Sequence, residues 1–119
     1  MSEFINRWFG RATRPPGAFA CGVRHATGAV SNTIWETRFP EATLTELWHR
    51  LETMTHSAAP MSGPAPETFR WLFTDTAVLA TARPDGAMCF ILAPRKSGAM
   101  TTDETGVNRL LSEFRALRA

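Results

Sequence analysis

The sequence predicts a two-layer α+β domain: a five-stranded antiparallel sheet in ββαβββα order, two amphipathic helices and a short N-terminal helix. Three observations predict it. Strand-like alternation comes in runs joined by tight turns, which favours antiparallel neighbours over crossover connections. Two segments carry apolar residues at helical spacing along one side, so they must cover a face of the sheet. The chain has 119 residues, 44% of them apolar and 20% charged, which suits a single domain with a real core.

Ser2 to Phe9 reads as a short helix. Ser2 can cap it, Phe4, Ile5, Trp8 and Phe9 cluster on one side, and Gly10 can end it. Arg11-Ala-Thr-Arg-Pro-Pro-Gly17 follows as a linker. Residues 1–17 thus form an appendage that docks or stays loose, and residues 18–119 form the domain. Ala18 to His25 alternates, with Phe19, Cys21 and Val23 on one face. Ala26-Thr-Gly28 turns the chain, and Ala29 to Glu36 resumes in β-rich residues, giving a hairpin.

Thr43 to about Thr55 is the strongest helix. Thr43-Leu-Thr-Glu46 fits a capping box, and Leu44, Leu47, Trp48, Leu51 and Met54 form an apolar stripe. Ser57 to Pro66 holds three prolines and a glycine and reads as a loop. A three-stranded meander follows. Thr68 to Thr74 puts Phe69, Trp71 and Phe73 on one face, with Arg70 and Leu72 on the other. Asp75-Thr76 turns into Ala77 to Arg83. Pro84-Asp-Gly86 turns again, because proline presets φ and glycine accepts the left-handed position. Ala87 to Ala93 is apolar on both faces and reads as a central strand. Pro94 to Met100 reads as a loop. Thr101 to Ala119 is the last helix, with a second capping box at Thr101–Glu104 and a stripe of Val107, Leu110, Leu111, Phe114 and Leu117.

Composition excludes several function classes. Thirteen basic against eleven acidic residues leave a net charge of +2, which points to no strongly charged partner. No run approaches the ~20 apolar residues of a membrane span. Glu3, Asn6 and Arg7 interrupt any signal-peptide pattern, so the expectation is a cytoplasmic protein without a membrane partner. Cys21, His25, His49, His56 and Cys89 are the soft metal ligands. No C-x-x-C or H-E-x-x-H spacing gathers them. The expectation is no metal and no cofactor, with buried cysteines and half-exposed histidines.

A cysteine–histidine hydrolase finds little support, because Cys89 lies in an apolar strand that raises a thiol pKa. There is no G-x-S-x-G elbow and no G-x-x-x-x-G-K-[ST] loop. The chain therefore reads as a non-enzyme. Arg7, Arg11 and Arg14 interleave with Trp8 and Phe9, as in some nucleic-acid binders. The plainer reading is a helix that docks its aromatic side and solvates its arginines, with no nucleic acid.

Element order separates this chain from other small domains with a five-stranded antiparallel sheet. The hairpin Cys21-Gly-Val-Arg-His-Ala-Thr-Gly-Ala-Val30, the segments Phe73–Leu79 and Arg83–Leu92, and the closing Val107–Leu117 helix span about residues 18–118. Together they resemble the roadblock family, the profilin-like superfamily of dynein light chains and bacterial GTPase regulators. The Pro-rich 57–66 loop and the proline-separated first helix depart from its common pattern. The resemblance implies strand order 2-1-5-4-3, which makes the 68–74 strand an edge. It also implies a homodimer through Phe69, Trp71, Leu72 and Phe73. The implied partner is a small Ras-like GTPase or a scaffold of a motility or polarity system, contacted by Trp48, His49 and Arg50 with the 57–66 loop. The alternative is a small-ligand sensor of the PAS or GAF kind, with a closed cavity lined by Met88, Phe90, Trp35 and Met54.

Overall fold

The computed structural model describes residues 3–36, 40–58, 68–73, 75–96, 99–100 and 104–118; for 54–58, Phe69, Lys96, Ala99 and Met100 it describes the backbone alone. The elements are α1 (Glu3–Arg11), β1 (Ala20–Arg24), β2 (Val30–Ile34), α2 (Glu41–Ala58), β3 (Thr68–Leu72), β4 (Thr76–Ala82), β5 (Met88–Lys96), β6 (Ala99–Met100) and α3 (Glu104–Ala116). The five long strands pair antiparallel in the order β2-β1-β5-β4-β3. The fold is α+β, and β5 is central, as its two apolar faces require.

Layering differs from the expectation. Successive strand residues point to opposite faces, and both faces are covered. Cys21, Val23, Leu79, Cys89 and Ile91 pack with Ile5 and Trp8 of α1 and with Val107, Leu110, Leu111 and Phe114 of α3. Ala20, Val78, Ala80, Phe90 and Leu92 pack with Leu44, Leu47, Trp48 and Leu51 of α2. The two amphipathic helices therefore sit on opposite sides, and the molecule has three layers where two were expected. The physical reason is the sheet itself. A strand as apolar as β5 on both faces cannot leave one in water.

On the α2 face one glycine decides the packing. Gly22 lies between Asn32 and Phe90 across the ladders. A Cβ there would stand 2.3 Å from Phe90 Cε1 and 2.6 Å from Asn32 Oδ1. Its absence lets the Phe90 ring occupy the space beside Gly22. Trp48 meets that ring edge-on at 4.7 Å, and its Nε1 donates to Asn32 Oδ1 at 2.9 Å.

The turns follow their residues. Gly28 and Gly86 have φ of 98° and 96°, and their amides donate back to His25 and Arg83. Other boundaries move. α1 runs through Gly10 to Arg11 and docks, with Trp8 and Phe114 rings 5.5 Å apart. β5 extends through Pro94 and pairs with β6, where a loop was expected. α2 begins at Glu41, whose carboxylate suits the positive helix end. Thr43 is then an exposed residue of the first turn, and its amide already donates to Pro40 O, so it is not the cap. The corresponding cap at 101–103 lies outside the described residues. Phe19 O accepts from both Trp35 and Glu36, a bulge that places Phe19 on the α2 side and Trp35 on the other.

Arg83 closes the structure at the β4–β5 turn. Its side chain is buried, and its guanidinium donates to Phe114 O at 2.6 Å, Leu117 O at 2.9 Å and Asp85 Oδ2 at 3.2 Å. The rings of Phe4 and Phe114 stand 5.3 and 5.6 Å from it. One cation thus adds donors to the last carbonyls of α3 and holds α1 beside them.

Candidate functional site

β3 is an edge, and hydrogen-bond parity fixes which of its groups look outward. Phe73 N donates to Thr76 O at 2.8 Å. Bonded pairs alternate along an antiparallel ladder, so Trp71 bonds β4 while the amides of Arg70 and Leu72 face away from it. Leu72 and Phe73 are 45% and 37% exposed. Trp71 is half-buried against the α2 face, with its ring 5.1 Å from that of Phe73. The side chain of Phe69 lies outside the described residues. Arg70 Nη1 donates to Glu104 at the start of α3, and Arg95 Nη1 donates to Phe73 O. These bonds hold the edge in place without covering it.

Beside the edge lies an open groove of about 400 Å³ between α2 and the β3–β4 turn. Leu47, Val78, Leu92 and Phe73 supply its apolar lining; Glu46, Arg50 and Asp75 supply its charges. Arg50 Nε donates to Glu46 Oε1 at 3.0 Å, one turn apart on exposed helix.

The residues expected to contact a partner divide. His49 and Arg50 are exposed on α2. Trp48 is a correction: it is only 7% exposed and belongs to the core between Phe90 and Asn32. An indole on the Leu44–Leu51 stripe cannot face both the sheet and a partner. Residues 59–66 of the Pro-rich loop lie outside the described residues.

The residues of the sensor cavity do not gather. Met88 and Phe90 are packed on the α2 face, and Trp35 lies against the α1/α3 face. The Met54 side chain is outside the described residues. Cys21 and Cys89 are buried with their sulfurs 3.9 Å apart on neighbouring strands. Burial first, and then Cys21, pushes the Cys89 thiol well above its ordinary range, so it is a poor nucleophile. His25 is a second correction. It is buried, not half-exposed, and neither ring nitrogen finds a hydrogen-bond partner among the described residues. Among the described residues no three His, Cys, Asp or Glu side chains form a metal-binding group, and no helix is long and apolar enough to cross a membrane.

No family model matches the sequence, and no curated protein matches it. Solved structures do match the fold. MglB of Myxococcus xanthus superposes with a TM-score of 0.67 at 13% identity, over 97% of this chain and 86% of that one. A roadblock/LC7 domain from Streptomyces avermitilis gives 0.63 at 15% identity, over 89% and 86%. MglC of Myxococcus xanthus gives 0.57 at 9% identity, over 94% and 93%.

The chain has the roadblock/LC7 fold.

MglB in a tetrameric arrangement is a further structural neighbour, with a TM-score of 0.66 at 10% identity over 98% of this chain and 88% of that one. Within the roadblock fold of this chain, β3 takes the edge position that the resemblance implied. The tethers Arg70–Glu104 and Arg95–Phe73 escaped the sequence reading. Their partners lie 34 and 22 residues away, beyond any local pattern.

Proposed function

We propose that this roadblock-fold chain is a non-enzymatic interaction module that forms a homodimer through β3 and regulates a protein partner. Two copies would pair antiparallel across a two-fold axis, and each would supply outward amides of Arg70 and Leu72 to the other. The single observation that carries this reading is the exposure of Leu72 and Phe73 on an unpaired edge, one on each face of the sheet, with Phe73 continuing into the α2 groove. An edge of this kind invites another strand, because its backbone groups and apolar side chains are both unmet. The partner, by family resemblance, is a small Ras-like GTPase. The chain carries no phosphate-cradling loop of its own, so it would act on the partner's conformation. Exposed His49 and Arg50 on α2 are the proposed contacts, joined by the 57–66 loop.

Light scattering across a dilution series tests the dimer. The expected result is twice the mass of one chain, from an interface burying on the order of 1,200 Å² or more. A monomer at ~100 μM, far above the dissociation constant of a specific interface, would sink it.

A further inference from the structure

The layer formed by α1 and α3 carries a second open groove, of about 540 Å³. Trp8 and Leu110, both rooted in the core, provide its apolar floor. The linker after α1 forms one wall, with Pro15 and Pro16, which have no amide hydrogen to donate. The charged donors of the lining are all arginines. Arg11, Arg14 and Arg109 share the groove with one carboxylate, Glu113. Four arginines outside the groove are matched by a carboxylate: Arg24 with Glu52, Arg50 with Glu46, Arg70 with Glu104 and Arg83 with Asp85. Those lining the groove are not. Arg11 and Arg109 have no hydrogen-bond or ion-pair partner among the described residues, although Glu113 follows Arg109 at i,i+4. Arg14 Nε is held by a neutral group, Ala18 O, at 2.8 Å, which positions a third cation without neutralising it.

We propose that this groove binds an extended acidic peptide segment of another protein. An apolar side chain would cover the Trp8–Leu110 floor, and flanking carboxylates would meet Arg11, Arg14 and Arg109. Bidentate guanidinium–carboxylate pairing gives such a site direction as well as charge. Glu113 disfavours a uniform polyanion, because a phosphate backbone laid along the three arginines brings charge against it. An acidic peptide with one apolar residue satisfies floor, cations and carboxylate together. None of the lining residues comes from α2 or β3, so the site is separate from the edge proposed for self-association.

The test is fluorescence anisotropy with the full chain and a short labelled peptide of glutamates and aspartates around one leucine. Parallel arms use the same peptide with lysines for the acids, phosphatidylserine vesicles, a single-stranded oligonucleotide and inorganic phosphate. The acidic peptide should saturate, and added salt should weaken it. The double variant Arg11→Glu/Arg109→Glu should bind about tenfold or more weakly, and Arg109→Glu alone about threefold or more weakly, while Arg118→Glu, the same charge change as that single variant but made outside the groove, stays within about twofold. Absence of saturable binding, equal loss in Arg118→Glu, or stronger arginine-dependent binding of vesicles or oligonucleotide would overturn the proposal. Should the double variant fail to fold, amide shifts of the wild-type chain decide. Peptide-induced shifts centred on Ala12, Gly106 and Leu110 support the site, and shifts centred elsewhere sink it.

Discussion

The sheet ends in two unpaired strands, and they are unlike in what surrounds them. On β2, Val30 is 43% exposed; on β3, Leu72 is 45% exposed. Exposure alone does not choose between them. Val30 lies opposite Arg24, whose guanidinium is paired with Glu52 at 3.3 Å. Ser31, Asn32 and Thr33 follow, and the Asn32 side chain is drawn inward by Trp48. Polar and charged neighbours of this kind blunt an edge. Leu72 is instead followed by exposed Phe73, which lines the groove under α2. An edge becomes a plausible docking strand where apolar surface continues past it, and that happens on one side of this sheet.

The largest expected effect separates the two edges directly. Leu72→Lys should weaken self-association by about 2 kcal/mol or more, the scale of an interface hot spot. Val30→Lys, a similar change at a similarly exposed position, should leave the light-scattering mass unchanged. Leu72→Pro sharpens the contrast, since its amide faces away from β4 and the internal ladder keeps its bonds. Equal behaviour of the two lysine variants would break the distinction.

A second substitution keeps stability apart from association. Arg83→Ala removes the cation shared by α1, the β4–β5 turn and the end of α3. Urea denaturation should show a loss on the order of 3 kcal/mol, as for lost charged hydrogen bonds in a buried setting. The mass at concentrations where the variant is folded should not change, because neither edge is touched.

The β1–β2 hairpin carries a pH signature of its own. Burial holds the His25 imidazole below its ordinary pKa of 6.5. Above 6.5 both folded and unfolded chains hold it neutral, and it contributes no pH slope. As pH falls below 6.5 the unfolded chain gains a proton that the folded chain resists. Stability should therefore decline from about pH 6.5 towards the lowered value. Chemical denaturation at several pH values, with His25→Asn as the comparison, reads this. An unchanged slope in the variant would remove His25 as its source.

The smallest expected effect concerns α2. Thr43→Ala should change the melting free energy by no more than about 0.5 kcal/mol, since Thr43 is exposed and does not cap. A loss near 1 kcal/mol would instead restore the capping box.

Period-two alternation and the turns at Gly28 and Gly86 made the strands legible, and the roadblock resemblance supplied their order in the sheet. The third layer was legible in principle, because Ala87–Ala93 is apolar on both faces and so demands cover on each. Trp48 was also decided by its own stripe, which already assigned it to the sheet. Arg83 was not legible. Its partners are backbone carbonyls 31 and 34 residues downstream, and carbonyls leave no mark on side-chain pattern. The same holds in part for the α1/α3 groove: Arg11 and Arg14 are near neighbours in sequence, and helix docking alone brings Arg109 beside them.

Gly22 has a consequence for how this sequence can drift. It is tolerable to lose a side chain in a strand when a neighbour fills the vacancy, and Phe90 fills this one. Any side chain at 22 must evict that ring, which in turn unseats Trp48 and frees Asn32. Positions 22, 32, 48 and 90 therefore form one inherited unit, open to exchange as a set and closed to stepwise change. Among divergent relatives, those four should covary even where every surface residue has been replaced.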